Sequence, residues 1–382
     1  MIFNFVTAGE SHGPQLTAII QGVPAGLELL AEKIDKELYR RQQGYGRGAR
    51  MTIEQDKVEI VSGVRDGYTT GAPITLVIKN KDWENWQEIM TPAKGAKYEK
   101  KVTLPRPGHA DLAGGLKYRQ ADLRNILERA SARETAARVA VGAVAKSLLA
   151  SLGIEILSHV TDIGTVSSNV ALSKENLALS EQSVVRCSDE NSSQQMIAEI
   201  DVAKIKGDTL GGIFEVVVFD LPLGLGSHIQ WDTRLDGRLA QALMSIPAIK
   251  GVEFGDGFAT AAKLGSQAHD AIYWQERFIR HTNHAGGVEG GITNGEPLII
   301  RAAMKPIPTL MQPLPSVELF TKEQGVAVTE RSDVCAVPAA AIIGEAMVGI
   351  ILADEVLRKF GGDHIEEVKQ ALAAYQDYLR QV

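Results

Sequence analysis

Two segments of this chain cannot sit at a protein surface as helices, and they resemble each other. Residues 132–152 carry Val139, Val141, Val144, Leu148 and Leu149, and residues 338–360 carry Ile342, Ile343, Met347, Ile350, Ile351 and Leu357, with Ala and Gly on nearly every other face. A helix that is apolar all round has to be buried. A similar tetrapeptide stands before each, Glu128-Arg129-Ala130-Ser131 and Glu330-Arg331-Ser332-Asp333. Whatever fold forms must therefore enclose two long helices on all sides.

Other repeats follow the same order. Gly67-Tyr68-Thr69-Thr70-Gly71, Gly207-Asp208-Thr209-Leu210-Gly211 and Gly291-Ile292-Thr293-Asn294-Gly295 each precede a short β-prone run, so each reads as a turn feeding a strand. Gly13, Pro24, Gly26 and Leu27 superpose on Gly211, Pro222, Gly224 and Leu225 at an offset of 198, and a helical pattern follows each copy, over 31–41 and 232–244. At 382 residues the chain exceeds the size at which one core usually stops growing. Repetition settles the matter for one internally duplicated domain, 1–382, with copies at about 1–160 and 200–360. Two buried helices flanked by repeated strand sets predict an α+β fold, a β-α-β sandwich with the helices between two sheets. The Ser-, Asn-, Glu- and Gln-rich stretch 161–199 reads as a solvated surface excursion, and Ile365, Val368, Leu372, Tyr375 and Leu379 form a terminal helical stripe.

No apolar run is long enough for a membrane span, and the amino terminus has no secretory pattern, so a cytoplasmic location is expected. Two cysteines, Cys187 and Cys335, make no disulfide framework. A net charge of −7 argues against a nucleic-acid partner, yet Arg40, Arg41, Arg47 and Arg50 crowd one segment and Arg119, Arg124, Arg129, Arg133 and Arg138 another. Arginine gathered in a Gly-rich loop of an acidic chain points to a small anionic ligand.

Two histidines stand out. Gly9-Glu10-Ser11-His12-Gly13 sets His12 in a glycine-flanked loop, where Ser11 is too close in sequence to serve as its nucleophile partner. Leu104-Pro105-Arg106-Pro107-Gly108-His109-Ala110-Asp111 stiffens Arg106 and His109 with two prolines. For His12 the bland reading is a surface turn with Ser11 and His12 solvated. Ser131 with Glu134 has capping-box spacing, so an exposed helix start flanked by Arg129 and Arg133 suits a phosphate. In the second copy Asp333 replaces the capping serine and becomes a candidate base. His281 and His284 lack the companions of a metal site, so no metal is expected.

Three of these segments together resemble the chorismate synthase family: Gly9-Glu10-Ser11-His12-Gly13 running to Gly22-Val23-Pro24, residues Glu128 to Thr135, and Arg331-Ser332-Asp333-Val334-Cys335 running to Glu345-Ala346-Met347. Gln21 and Pro247 depart from the family pattern. The resemblance implies a lyase that converts 5-enolpyruvylshikimate 3-phosphate to chorismate and phosphate by 1,4-anti elimination, in a homotetramer and with reduced FMN (FMNH2) undergoing no net redox change. The implied substrate ligands are Ser11, Arg41, Arg47, Arg50, Arg106, Ser131, Arg133 and Arg331. The implied flavin site is Arg129, Ala130, Ser131, Pro247, Ala248, Gly290, Lys305, Pro306, Ile307, Pro308, Thr309 and Arg331. His12 would stabilise the anionic flavin near N1, His109 would protonate the leaving phosphate, and Asp333 would help pass the substrate proton to the flavin. An NADP contact is implied at Arg41 and Arg47. The insertions of self-reducing members are not evident, so NADPH is expected only as an outside source of electrons, through an external flavin reductase. A flavin reductase or phosphate-ester transferase, and a non-catalytic anion-binding module, remain as alternatives.

Overall fold

The computed structural model describes residues 2–48, 55–95, 97, 100–328 and 333–382. The chain begins with strands β1 (Asn4–Ala8) and β2 (Gln15–Gln21), helix α1 (Ala31–Gln42), then β3 (Val58–Ser62) and β4 (Ile74–Lys79). These strands form one antiparallel sheet in the order β1-β2-β4-β3. Alternation buries Leu16, Ala18 and Ile20 of β2 with Ile74, Leu76 and Ile78 of β4 on one face. Two short helices, α2 (Asp111–Lys117) and α3 (Arg124–Ala130), lead to the first central helix, α4 (Thr135–Ala150).

The second half repeats this plan. Strand β5 (Glu155–Ile163) is followed by helix α5 (Glu190–Ile205), strand β6 (Gly212–Phe219), helix α6 (Leu235–Met244), and strands β7 (Ile249–Phe254) and β8 (Leu298–Met304). Their sheet runs β5-β6-β8-β7, strand for strand the order of the first, with the two-residue strand Val166–Ser167 added beyond β5. The second central helix, α7 (Val337–Phe360), and a terminal helix, α8 (Ile365–Gln381), close the chain.

One hydrogen-bonded knot occurs in both halves. Thr69 donates its hydroxyl to the Pro24 carbonyl at 2.6 Å and accepts from Leu27 N at 2.9 Å. Thr293 donates to Pro222 O at 2.7 Å and accepts from Leu225 N at 2.8 Å. The same turn chemistry thus ties the strand-to-helix corner in each copy.

Helix α4 lies against β2 and β4, and α7 against β5 and β6, with the helices packed on each other between the sheets. Their closeness depends on missing side chains. A Cβ at Gly142 would lie 2.3 Å from that of Ala346, and one at Gly344 would lie 2.5 Å from the Phe214 ring. Every residue of α7 from Val337 to Leu357 is buried, including Glu345, Asp354 and Glu355. Glu345 is neutralised by Arg40 at 2.7 Å and Lys146 at 2.6 Å. Asp354 accepts from the backbone N–H groups of Ile2 and Phe3 and pairs with Arg238 and Arg358.

The stretch 161–199 is less exposed than its polarity suggests. Residues 161–163 complete β5, Val185 and Cys187 enter the core, and α5 turns Met196 and Ile200 inward at i, i+4 spacing while its polar face meets solvent. It also braces the arginine loop. Tyr45 N donates to Val184 O at 2.7 Å, its hydroxyl to Asp201 at 2.8 Å, and a Cβ at Gly46 would lie 2.9 Å from Ile200. No helix among the described residues is long and apolar enough to cross a membrane.

Candidate active site

The turn between β1 and β2 carries Ser11 and His12. Gly9 makes the turn in the left-handed region (φ 116°), where a Cβ would strike the Gln15 carbonyl at 2.4 Å. The loop is docked on α3 through Ser11 N to Glu128 O at 3.0 Å and His12 N to Glu128 Oε2 at 2.8 Å. His12 Nδ1 lies 2.9 Å from Glu128 Oε1, which also accepts from Arg124 Nη1 at 3.0 Å. The imidazole stacks on Trp86 with centroids 3.9 Å apart, and Lys100 Nζ lies 3.7 Å from that indole. Burial favours the protonated form of Glu128, but the His12 and Arg124 hydrogen bonds outweigh it and hold the carboxyl below its usual value.

Beside this turn the arginines share acids in the interior. Asp56 accepts from Arg41 at 2.9 Å through one oxygen and from Arg133 at 2.6 Å through the other. Asn80 joins the cluster to the turn, accepting from Arg133 Nε at 2.9 Å and donating to Gly13 O at 2.7 Å. Arg41 is buried, and its Nε has no hydrogen-bond partner among the described residues. Burial, with repulsion from Arg133 and Arg47, pushes its guanidinium down to about 10. Arg47 pairs with Asp333 at 2.9 Å, and the other Asp333 oxygen accepts from Gly48 N at 2.6 Å. A buried cation with a spare donor and cationic neighbours is a ready anion site. Arg50 and Arg331 lie outside the described residues.

Two capping expectations need correction. Ser131 accepts from Arg133 N at 3.3 Å and donates to Ser11 Oγ at 3.1 Å, but it caps a 3-10 turn, Ala132–Glu134, that precedes α4. Glu134 turns to Arg138 at 2.8 Å rather than back to the cap, because the extra turn removes the capping-box geometry. Asp333 does not cap α7. Ala336 is the N-cap there, and Pro338 in the first turn needs no partner for an N–H it lacks.

His109 stands on a second rigid loop at the start of α2. Its Nδ1 is 2.5 Å from Asp111 Oδ1, and Asp111 also takes Arg106 Nε at 2.8 Å. Arg106 reaches Thr309 at 3.3 Å, and Lys305 Nζ donates to Gly108 O at 2.6 Å. Lys305 N in turn donates to Ala248 O at 2.9 Å, where Ala248 holds the left-handed conformation (φ 69°). Arg138 donates to Ser245 O and Oγ just before Pro247. Thr209 holds the Pro306-Ile307-Pro308 stretch through Ile307 O at 2.9 Å. Hydrogen bonds, with short stretches of chain between them, therefore link α4 through 245–248 and 305–309 to the His109 loop. Arg129, at the end of α3 beside Ala130, donates to Thr7 O and Gly9 O. Gly290 is not drawn into this rim. It tops a hairpin held at the amino end of α6 by Leu235 N to Gly291 O, while Pro247 and Ala248 follow its carboxyl end, roughly 15 Å away along a ten-residue helix.

Several residues that build the site escape a sequence reading. Glu128 and Asp111 stand inside recognised motifs without a role of their own, and Asp56, Asn80 and Trp86 in none. For Asp111 a signal existed, a carboxylate two residues after a loop histidine.

The chorismate synthase family profile matches residues 3–357. Among curated proteins, a chorismate synthase of Moorella thermoacetica is 58% identical over 100% of both chains, and one of Syntrophotalea carbinolica is 58% identical over 98% of both. A crystal structure of a chorismate synthase, 46% identical, superposes with a TM-score of 0.81 over 100% of this chain and 99% of that one. A family match over nearly the whole chain, relatives of equal length and a shared fold leave one assignment: the chain belongs to the chorismate synthase family and is a chorismate-forming lyase of the shikimate pathway.

Proposed function

We propose that the chain eliminates phosphate from 5-enolpyruvylshikimate 3-phosphate in a 1,4-anti sense, with reduced FMN bound, as a cytoplasmic homotetramer supplied with reduced flavin by an external reductase. The observation that carries this reading is the buried Arg41, whose Nε has no partner among the described residues, next to Arg133 and Arg47. Arg41 and Arg133 both donate to Asp56, and Arg47 lies near enough to repel Arg41, so the described part of the cluster gathers guanidiniums that suit an anion. A substrate with one phosphate and two carboxylates meets that requirement. Arg41, Arg47, Arg50, Arg106, Arg133 and Arg331 bind it, with Ser11 and Ser131 as neutral donors.

The donor set also fits a flavin phosphate and ribityl chain. Arg129 and Lys305 bring cations, Ser131 and Thr309 hydroxyls, and the left-handed backbone at Ala248 brings the 247–248 and 305–309 segments together. Arg129, Ala130, Ser131, Pro247, Ala248, Lys305 to Thr309 and Arg331 hold FMN in this reading; Gly290 would join only from its separate hairpin. Reduced FMN, when bound, lends electron density that eases departure of the phosphate.

The chain's own groups move the protons. The C6–H and C3–O bonds of the substrate break as the second ring double bond forms. Asp333 handles the proton lost from C6 at its carboxylate, and His109 protonates the departing phosphate. His12 supplies an N–H donor to the N1 edge of the flavin. The test is an anaerobic assay with dithionite-reduced FMN and substrate. Chorismate and phosphate should appear in equal amounts, and neither with oxidised or absent flavin. Turnover without reduced flavin would sink the cofactor assignment, and NADPH oxidation without chorismate would favour a flavin reductase.

A further inference from the structure

Both histidines named above lean on a buried carboxylate through the same ring nitrogen. Glu128 comes from α3, 116 residues from His12, and is 1% exposed. Asp111 opens α2 and is 0% exposed. We infer that Glu128 and Asp111 are positioning residues that accept the Nδ1 protons of His12 and His109, so that both histidines exchange protons through Nε2 alone. This rests on the reaction proposed above, in which the two histidines meet flavin and phosphate.

Among the described residues, every hydrogen-bond partner of the two carboxylates is a donor. Glu128 receives His12 N, His12 Nδ1 and Arg124 Nη1. Asp111 receives Arg106 N, Nε and Nη2 together with His109 Nδ1. Arg106 Nη2 lies 3.1 Å from His109 Nδ1 and 3.4 Å from Nε2 and can only donate, whereas Asp111 Oδ1, 2.5 Å from Nδ1, can only accept; the closer contact puts the proton on Nδ1 and leaves Nε2 to face the guanidinium. Burial alone would protonate both acids, yet their donors hold each below its usual range, which keeps them acceptors. The remaining groups around His12 confine the ring without competing for Nδ1. Trp86 covers a face, Lys100 and Arg124 approach that indole, and Asp82 stands 4.0 Å from Nε2.

A simple salt bridge to arginine would explain the burial of either acid. It would not require a tautomer. The arrangement predicts that an amide cannot substitute, because its NH2 would face a donor whichever way it is turned.

The test uses the full chain labelled with 15N-histidine, the two rings being assigned by His12→Gln and His109→Gln. Nδ1 of both should stay protonated throughout a pH titration while Nε2 alone gains and loses its proton. A neutral form of either ring with its proton on Nε2 overturns the assignment for that residue. Glu128→Gln and Asp111→Asn should each abolish the Nδ1–H signature of the matching histidine and lower kcat between roughly 10- and 10⁴-fold with little change in KM. Parental signature and kcat in the amide variants would also overturn it. If a variant fails to fold, the parent spectrum decides. Absence of chorismate with the parent protein would refute the reaction instead, and the spectrum would still report the tautomers.

Discussion

Asp333→Asn separates chemistry from stability more sharply than any other single change at this site. The side chain holds two donors at once, Gly48 N at 2.6 Å and Arg47 Nη1 at 2.9 Å. An asparagine can keep the first bond through its carbonyl, but its NH2 then faces the guanidinium and the ion pair is lost. Arg47 is 10% exposed and Asp333 20%. The pair therefore lies between exposed pairs, worth about 0–1 kcal/mol, and buried ones, whose disruption costs about 3–5, so a loss of about 1–3 kcal/mol is expected. Unfolding entropy near 2.1 cal/mol/K per residue converts this, for a chain of 382 residues, into a fall in Tm of only about 1–4 °C. Turnover should drop far more, about 10²- to 10⁴-fold, if the carboxylate handles the substrate proton. Differential scanning calorimetry gives the first quantity and stopped-flow chorismate formation the second. With C6-deuterated substrate the isotope effect should rise as proton removal becomes slower. A variant that melts near the parent and turns over at the parental rate, with an unchanged isotope effect, would refute the reasoning and leave Asp333 as a brace for the loop containing Arg47.

His109→Ala should reduce turnover by about 10²- to 10⁴-fold while flavin binding, followed by fluorescence quenching, stays near parental; unchanged turnover would remove His109 from the chemistry. Glu345→Gln tests the buried charge cluster, since it strips the shared partner from Arg40 and Lys146 and should cost about 3–5 kcal/mol in denaturant unfolding. Burial alone would raise the Glu345 carboxyl, but Arg40 and Lys146 hold it well below its usual range. Its contribution is therefore fully present above about pH 4.3 and fades as the pH falls further, so the Gln variant should lose less stability than the parent below about pH 4. Equal acid sensitivity of the two proteins would count against a stabilising pair.

The features that depend on local pattern are legible in the amino-acid sequence. Apolar residues around the whole circumference of 337–357 require burial wherever that helix goes, and the repeated Gly-Pro-Gly corners announce that each half is built alike. Strand order follows from neither, yet both sheets repeat it, and the same threonine knot recurs in each copy. Polarity misleads at 161–199, since only one face of α5 needs to be apolar to reach the core.

At the site, residue type in the sequence marks the participants, and long-range contact decides their relations. His12 and His109 stand out because glycine and proline leave a loop histidine without a packing role. What holds them differs in kind: Asp111 is two residues from His109, whereas Glu128 meets His12 only because α3 docks beneath the β1–β2 turn. The same is true of Asp56, set between Arg41 and Arg133, and of Asp333, which pseudo-symmetry suggests as a helix cap and which the packed chain uses to hold Arg47. Sequence alone determined which segments must be buried and which side chains carry chemistry, since those are properties of single residues and their near neighbours. Which carboxylate faces which cation, and which donor is left over for a ligand, only the tertiary structure decided, because hydrogen bonds and Coulomb interactions at about 3 Å join residues far apart along the chain.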